Sequence, residues 1–246
     1  MSSPYPSGAG ASGGSAVKTY VLRAGRISDA QRRAYDTLRS AWCIPIPPAP
    51  SVTGPLDTMG PLDTRAIFGN GNPLIVEIGF GMGIATAGIA EGNPGKNYLG
   101  FEVHRPGIGS LLREIENRKL GNVRIIEHDA VEGVEKLLED SSVDGFHIFF
   151  PDPWPKTRHH KRRLVTRPFT GVLARKLKPG AYLYMVTDWK DYADWALEEL
   201  SATEGLRNTC DGFAPPRDWR PETKFERKGL AKSHEVRELF FEAVYG

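Results

Sequence analysis

The chain has few cysteines and no long apolar run. Cys43 and Cys210 are its only cysteines, too few for a disulfide framework and too far apart for a CxxC metal pair. No apolar run approaches the length of a membrane span. Residues 1–17 carry no charged side chain, so they lack the basic and apolar regions of a signal peptide. The sequence therefore predicts a protein of the reducing cytoplasm, with no membrane partner.

Several signatures of catalysis are also missing. The sequence contains no GxSxG elbow, no P-loop and no HExxH zinc motif, so hydrolase and NTPase interpretations have no support. Its 6 histidines have no metal-ligand spacing, and we expect no metal. The 32 basic and 30 acidic residues give a net charge of +2, which neither indicates nor excludes a polyanionic partner. The distribution of this charge is more informative than its sum.

The pattern that is present is typical of an α/β protein. Residues 1–17 predict a flexible Gly/Ser/Pro-rich tail, residues 18–73 a basic helical arm with a Pro/Gly-rich connector, and residues 74–246 the main part of one folded domain. There, apolar runs alternate with helix-length segments, which indicates a doubly wound, mostly parallel sheet of seven strands. The strands are predicted near 74–79, 97–102, 123–128, 144–150, 181–187, 206–211 and 236–244. The helices are predicted near 84–91, 107–119, 131–139, 165–178 and 189–204, with stops at Gly121 and at Pro179–Gly180.

The arm contains a helix start. Ser28 and Gln31 have the spacing of a capping box, and apolar residues follow at helical intervals. Basic residues outnumber acids between Lys18 and Arg39, which favours two interpretations equally: a solvated helix face or a surface directed at nucleic acid.

A glycine-rich turn follows the first predicted strand. Gly79, Gly81 and Gly83 allow positive φ and a close approach of a ligand to the backbone. Glu77 precedes them, and its carboxylate would repel a pyrophosphate. The GxGxG spacing and this acid disfavour a nicotinamide dehydrogenase and favour a cationic ligand, S-adenosylmethionine.

Two further acids follow the next two strands. Glu102 comes 19 residues after Gly83, near the spacing at which an acid binds ribose hydroxyls, and Asp129 is placed to accept an adenine amino group. Each acid alone is more simply a solvated turn or a helix N-cap. Three acids at successive strand ends beside one glycine loop favour a donor site, because ligands in this fold bind outside the carboxyl ends of the strands.

The fourth strand ends in a proline-flanked acid followed by a basic run. Pro151 and Pro153 fix the backbone around Asp152, for which the alternative is a rigid turn with a surface acid. The basic run, residues 156–163, holds five permanent positive charges and no acid. We interpret this run as a phosphate-binding surface rather than a solvated face. Its charged or titratable members are Lys156, Arg158, His159, His160, Lys161, Arg162 and Arg163.

Two later segments carry weaker signals. Asp188 ends the fifth strand and is either a site acid or the N-cap of the next helix. The segment before the last strand contains Thr223, Lys224, Phe225 and Glu226. A phenylalanine among basic residues can stack on a base, and a glutamate can accept the N1 and N2 hydrogens of guanine.

Together these motifs resemble those of one family. They are EIGFGMG at 77–83, FEVHRPGIGSLL at 101–112, FFPDPWPKTRHHKRR at 149–163, TDWKDYADW at 187–195 and RPETKFERKGL at 220–230. In this order, from about Tyr20 to the C-terminus, they resemble the tRNA (guanine-N7-)-methyltransferases of the bacterial type. The resemblance implies a class I S-adenosylmethionine methyltransferase fold, which is Rossmann-like, and methylation of guanosine in the variable loop of tRNA.

The resemblance also implies roles for the residues named above. Glu77, Glu102, Asp129 and Asp152 would contact the methyl donor at the glycine loop, and Asp152 would also be catalytic. Lys156, Asp188 and residues 223–226 would contact the substrate, and residues 158–163 would contact RNA. No protein partner is implied. Two alternatives stay open at this point: a methyltransferase for an exocyclic amino group, and a non-catalytic RNA-binding subunit.

Overall fold

The computed structural model describes residues 18–20, 26–46, 56, 59–221, 226 and 235–244. Within these described residues, seven strands form one sheet, as predicted. They are β1 (Leu74–Ile78), β2 (Asn97–Glu102), β3 (Val123–Glu127), β4 (Val143–Phe149), β5 (Leu177–Thr187), β6 (Leu206–Asn208) and β7 (Arg237–Ala243). The helices are α1 (Asp29–Trp42), α2 (Thr64–Phe68), α3 (Ile84–Gly92), α4 (Arg105–Arg118), α5 (Ala130–Leu137), α6 (Arg167–Lys176) and α7 (Lys190–Ser201). A 3₁₀ helix (Thr157–Arg162), which the sequence analysis did not predict, precedes α6.

The sheet has a switch point at its centre. Its strand order is β3-β2-β1-β4-β5-β7-β6, with parallel pairing from β3 to β5 and an antiparallel β7. The mostly parallel sheet is thus confirmed. The chain proceeds from β1 outward to β3 and then returns to the other side of β1, so the crevice between β1 and β4 opens at the carboxyl ends of these strands. This crevice is where ligands bind in open α/β sheets.

Both faces of the sheet are covered. One apolar cluster includes Val76, Phe101 and Phe146, and a second cluster on the opposite face includes Ile75 and Tyr184. All five residues of β1 are buried. This explains why the strands read as continuous apolar runs rather than alternating ones.

Helix α1 packs on the second cluster. The capping box is confirmed, since the Gln31 N–H donates to Ser28 Oγ and the Ser28 N–H donates to Gln31 Oε1. The Gln31 carbonyl lies where a side chain at Gly109 of α4 would stand, 2.4 Å from an ideal Cβ. After α1, the Ile44 N–H donates to the carbonyl of Ile125 in β3. The helix of the predicted arm is therefore packed against the sheet domain.

Two predicted helix stops were wrong. Helix α4 ends at Arg118, before Gly121, because Lys119 takes the left-handed conformation (φ 55°) and the Leu120 N–H donates to the Ile115 carbonyl. Pro179–Gly180 does not separate α6 from β5. Helix α6 has already ended at Lys176, and β5 runs through this dipeptide at a register shift opposite residues 143–145.

Candidate active site

The predicted site residues lie at the carboxyl ends of the five parallel strands, β1 to β5. The glycine loop follows β1, Glu102 ends β2, Asp129 follows β3, the loop of Asp152 follows β4, and Asp188 follows β5. Because β1 pairs with both β2 and β4 in parallel register, the loops that leave them are neighbours. The topology therefore brings the predicted acids to one edge of the sheet.

The glycine loop has the backbone conformation that glycine favours. Gly79, Gly81 and Gly83 have φ values of 71°, 56° and 70°. A Cβ on Gly83 would also stand 2.5 Å from the Cβ of Leu111 in α4. A Cβ on Gly79 or Gly81 would meet nothing within 4 Å, so the backbone is open on that side. The loop is thus held by α4 at one end and accessible to a ligand at the other.

Glu77 is a buried carboxyl group beneath this loop. Its residue is 3% exposed, and its Oε2 has no hydrogen-bond partner within the part of the chain that the structure describes. Burial, with a smaller contribution from the charge of Glu102, raises the pKa of Glu77 to about 7, and Thr86 opposes this shift. The unpartnered oxygen is an acceptor, and its negative charge would be favoured by a bound cation.

Glu102 organises the backbone around it. Its Oε1 accepts hydrogen bonds from the N–H groups of Val103 (2.8 Å) and His104 (3.0 Å). Its Oε2 accepts from the Gly81 N–H at 2.9 Å. Burial raises the pKa of Glu102, and these three backbone donors oppose the shift. The carboxylate thus links the end of β2 to the glycine loop.

Asp129 is the N-cap of α5, the simpler of its two interpretations. Its Oδ1 accepts from the Val131 N–H at 2.9 Å, and burial raises its pKa. Burial and the charges of Asp129 and Glu132 raise the pKa of Tyr20 to about 12. The short segment 18–20 therefore passes beside the end of β3. Capping uses one lone pair of Asp129, so its role as an adenine acceptor stays a prediction.

The loop that carries Asp152 is strained. Phe150 and Trp154, two aromatic residues that each precede a proline, have positive φ values of 51° and 45°. Such conformations cost about 1–3 kcal/mol each and persist only where the surroundings fix them. Asp152 itself is exposed, and no described residue donates a hydrogen bond to its carboxylate. The loop thus presents a carboxylate with free acceptor capacity at the sheet edge.

A contact to residues 18–20 was missed from the sequence. The Trp154 Nε1–H donates to the Thr19 carbonyl at 3.0 Å. The Arg162 guanidinium lies 3.8 Å from the centroid of the Trp154 ring and donates to the carbonyls of Lys18 and Tyr20, each at 3.0 Å. Trp154 and Arg162 were visible in the motif, but nothing in the sequence indicated that they bind a segment more than a hundred residues away.

The basic run divides into outward and inward side chains. Lys156, Arg158 and Lys161 are exposed, as a phosphate-binding surface requires. His159 is half-buried, with its pKa lowered by burial and by the neighbouring cations, and His160 lies 4.0 Å from Asp191. Arg162 is also partly covered. The 3₁₀ helix and the lysine before it therefore present some basic side chains to solvent and pack others against the protein.

Two predicted contacts are not met in this structure. Arg163, expected to contact RNA, is 1% exposed and donates to the Pro153 carbonyl and to Asp191. Glu226, expected to read guanine, is buried, and its two carboxylate oxygens accept from Arg220 at 2.7 and 2.8 Å. In both cases the side chain that was predicted to contact the substrate instead forms an ion pair within the protein.

The remaining predicted substrate contacts are placed in part. Helix α7 begins at Lys190 after Trp189, so the N-cap interpretation of Asp188 was wrong and its role as a site acid stays a prediction. Asp188 and Trp189 line an open cavity with Arg237. The predicted contacts Thr223, Lys224 and Phe225 lie outside the described residues.

The described residues contain no candidate metal site and no helix that could cross a membrane. No group of three or more His, Cys, Asp or Glu side chains there has the geometry of a metal site. None of the helices found there is both long enough and apolar enough to cross a membrane.

Two solved methyltransferase structures share the fold of this chain. The crystal structure of the 16S rRNA methyltransferase KamB matches 76% of this chain and 96% of its own, with a TM-score of 0.56 and 16% identity. The antibiotic-resistance methyltransferase Kmr matches 75% of this chain and 92% of its own, with a TM-score of 0.52 and 17% identity. At this identity the comparison supports the class I, Rossmann-like fold alone.

Sequence comparisons are more specific. A family model described as "Putative methyltransferase" matches residues 71–239. The tRNA (guanine-N(7)-)-methyltransferase of Burkholderia vietnamiensis is 52% identical over 92% of this chain and 84% of its own length. That of Nitrosospira multiformis is 47% identical over 94% of this chain and 96% of its own. This chain therefore belongs to the tRNA (guanine-N(7)-)-methyltransferase family.

Proposed function

We propose that this protein transfers the methyl group of S-adenosylmethionine to N7 of a guanine in the variable loop of tRNA. The observation that carries the proposal is the position of Asp152. Its carboxylate is exposed on a proline-fixed loop after β4, beside the glycine loop after β1 and directly before the exposed cations of the basic run. The choice of guanine N7 as the target atom and of tRNA as the substrate rests on the names of the relatives. Such a substrate is consistent with a cytoplasmic enzyme.

The residues around the glycine loop fit a nucleoside that carries a sulfonium. Glu77 Oε2 is buried and has no partner among the described residues, and Gly79 and Gly81 leave space beside the backbone. Glu102 and Asp129 keep lone pairs that can accept ribose hydroxyls and the adenine amino group. Carboxylates in these positions would repel a pyrophosphate, which supports S-adenosylmethionine over a dinucleotide.

The reaction requires positioning more than proton transfer. The donor supplies a methyl group made electrophilic by the sulfonium. Guanine N7 has an in-plane lone pair and no hydrogen, so an N–C bond forms as the S–C bond breaks and no proton is removed. Holding the two groups in line supplies most of the catalysis. The Asp152 carboxylate orients the base and stabilises the positive charge that develops on the purine.

The exposed side chains of the basic run bind the phosphate backbone of the tRNA. Lys156, Arg158 and Lys161 are exposed and adjacent to the loop of Asp152, so they can neutralise phosphates next to the target base. Asp188, Thr223, Lys224 and Phe225 are retained as candidate contacts to the guanosine. Glu226 instead holds the buried Arg220.

The proposal is tested with labelled methyl donor and two tRNA transcripts. The first is unmodified, and the second carries a single 7-deazaguanosine at the target guanosine of the variable loop. We expect transfer to the first only, because the second lacks the N7 atom but keeps the exocyclic amino group. Transfer to both would indicate an amino methyltransferase. Tight RNA binding with transfer to neither would indicate a non-catalytic RNA-binding protein.

A further inference from the structure

Arg163 is a buried cation that the proposed reaction does not use directly. Its side chain is 1% exposed, whereas Arg158 and Lys161 in the same run are exposed. A cation in this position costs desolvation energy unless its donors are paired. Its Nε donates to the Pro153 carbonyl at 3.1 Å, and its Nη2 donates to the Asp191 carboxylate.

Aromatic side chains cover the same guanidinium. Its carbon lies 5.1 Å from the ring centroids of both Tyr192 and Trp195 in α7. These two side chains also bind the next residues of the chain. The Tyr192 hydroxyl accepts from the Val165 N–H at 3.1 Å, and the Trp195 Nε1–H donates to the Val165 carbonyl at 2.7 Å. Arg163 is thus fixed by the first turns of α7.

The carbonyl that Arg163 binds belongs to the residue directly after Asp152. This loop has positive φ at Phe150 and Trp154, on both sides of Asp152, and needs external contacts to keep that conformation. Pro151, Pro153 and Pro155 provide no backbone N–H groups, which leaves this loop few main-chain donors and makes contacts to its carbonyls more important. Arg163 holds one of them.

We infer that Arg163 is a positioning residue, which holds the Asp152 carboxylate in its reactive place by tying the Pro153 carbonyl to Asp191 at the start of α7. The inference rests on the role proposed for Asp152. The planar guanidinium, with donors in a fixed fork, can bind both partners at once, whereas a lysine ammonium in its place cannot reproduce this geometry. Arg163 therefore acts on the rate of transfer rather than on tRNA affinity.

The experiment compares wild type, Arg163→Lys, Asp152→Ala and the double variant by single-turnover methyl transfer to tRNA. Arg163→Lys should lower the rate constant about ten- to hundred-fold, the cost of a misplacement of about 1 Å. The KM for tRNA and the salt dependence of tRNA binding should stay within about twofold of wild type. In the Asp152→Ala background, Arg163→Lys should have no further effect, because residues that act as a unit are not additive. Arg167→Lys, an exposed and ion-paired arginine on α6, is the matched control.

Three results would overturn the inference. The first is an unchanged rate constant in a folded Arg163→Lys protein. The second is a loss that adds in full to that of Asp152→Ala, which would mean that Arg163 acts elsewhere. The third is weaker tRNA binding with a shallower salt dependence, which would make Arg163 a phosphate contact. A near wild-type rate for Asp152→Ala alone would refute the proposed role of Asp152, and a wild-type protein inactive on tRNA would refute the proposed function.

A second variant keeps the test decisive if Arg163→Lys does not fold. Asp191 is exposed, and Asp191→Asn removes the charge that anchors Arg163 without entering the core. It should lower the rate constant in the same direction by about threefold to tenfold, again only when Asp152 is present. Asp194→Asn, one turn further along α7, is its control. Equal rates for Asp191→Asn and wild type would count against the inference.

Discussion

The Gly81 N–H donates a 2.9 Å hydrogen bond to Glu102 Oε2, and this bond joins the glycine loop after β1 to the end of β2. The same carboxylate accepts from Val103 and His104. Glu102 therefore shapes the loop, and its carboxylate also carries the lone pairs that we propose accept the donor ribose. Its replacement should affect donor binding by both routes.

Glu102→Ala should weaken binding of S-adenosylmethionine by about 1–3 kcal/mol, through loss of charge-assisted hydrogen bonds. Isothermal titration calorimetry measures this directly. Glu116→Ala, an exposed acid on α4, is the control and should bind as wild type does. An unchanged affinity in Glu102→Ala would remove Glu102 from the donor site.

Glu77 should make the stability of the ligand-free protein depend on pH. Its folded-state pKa of about 7 lies above the ordinary carboxyl value of 4.5, so the folded protein keeps a proton that the unfolded chain loses. Its contribution to the free energy of unfolding is full below the ordinary value and is lost as the pH rises through 7. Glu77→Gln removes this dependence.

The measurement is urea denaturation at about pH 5 and about pH 8. The free energy of unfolding of Glu77→Gln, relative to that of wild type, should be higher at the higher pH than at the lower one. The increase should be on the order of 3 kcal/mol at most. Glu116→Gln is the exposed control. A stability difference between Glu77→Gln and wild type that is the same at both pH values would contradict the raised pKa.

Asp152→Ala should lower the rate of methyl transfer by about a hundred- to a thousand-fold, as loss of one preorganised charged group does. Folding and tRNA affinity should stay unchanged, because the carboxylate is exposed and accepts no hydrogen bond from the described residues. Single-turnover assays and a thermal melt provide the two measurements. Asp211→Ala, an exposed acid after β6, should have the wild-type rate.

Replacing the exposed cations of the basic run should change the salt dependence of tRNA binding. Lys156→Ala, Arg158→Ala and Lys161→Ala should each weaken all tRNA substrates alike and reduce the salt slope by about one. Stability should hardly change, because exposed charges contribute little to folding. Arg175→Ala is the control. Arg175 lies in the last turn of α6, near the amino-terminal end of β4 and away from the site. Wild-type slopes in all three variants would mean that the run is only a solvated face.

Glu226→Gln should behave as a stability variant rather than a specificity variant. Arg220 is buried between Glu226, Glu238 and Tyr184, and removing one carboxylate leaves its charge less well compensated. The free energy of unfolding should fall by about 1–3 kcal/mol, measured by urea denaturation. Glu235→Gln, an exposed acid, is the control. Unchanged stability with loss of discrimination for guanine would restore the base-reading role predicted from the sequence.

The order of the elements and the location of the acids followed from the sequence alone. Apolar runs alternating with helix-length segments specify a parallel sheet, and the carboxyl ends of parallel strands meet at one edge. Glu77, Glu102 and Asp152 could therefore be assigned to one site without coordinates. The positive φ values of the glycine loop could also be predicted from the sequence, because positive φ is a local property of the backbone.

The tertiary structure alone decided which charged side chains face the solvent. Arg162 and Arg163 are indistinguishable from Lys161 in the sequence, yet they turn inward to Trp154 and Asp191. Glu226 is likewise committed to Arg220. A charge is buried only where distant segments supply its partners, and local sequence does not record those partners. The sequence thus indicated where the candidate site lies, and the packing of the chain decided which of its charged residues remain exposed.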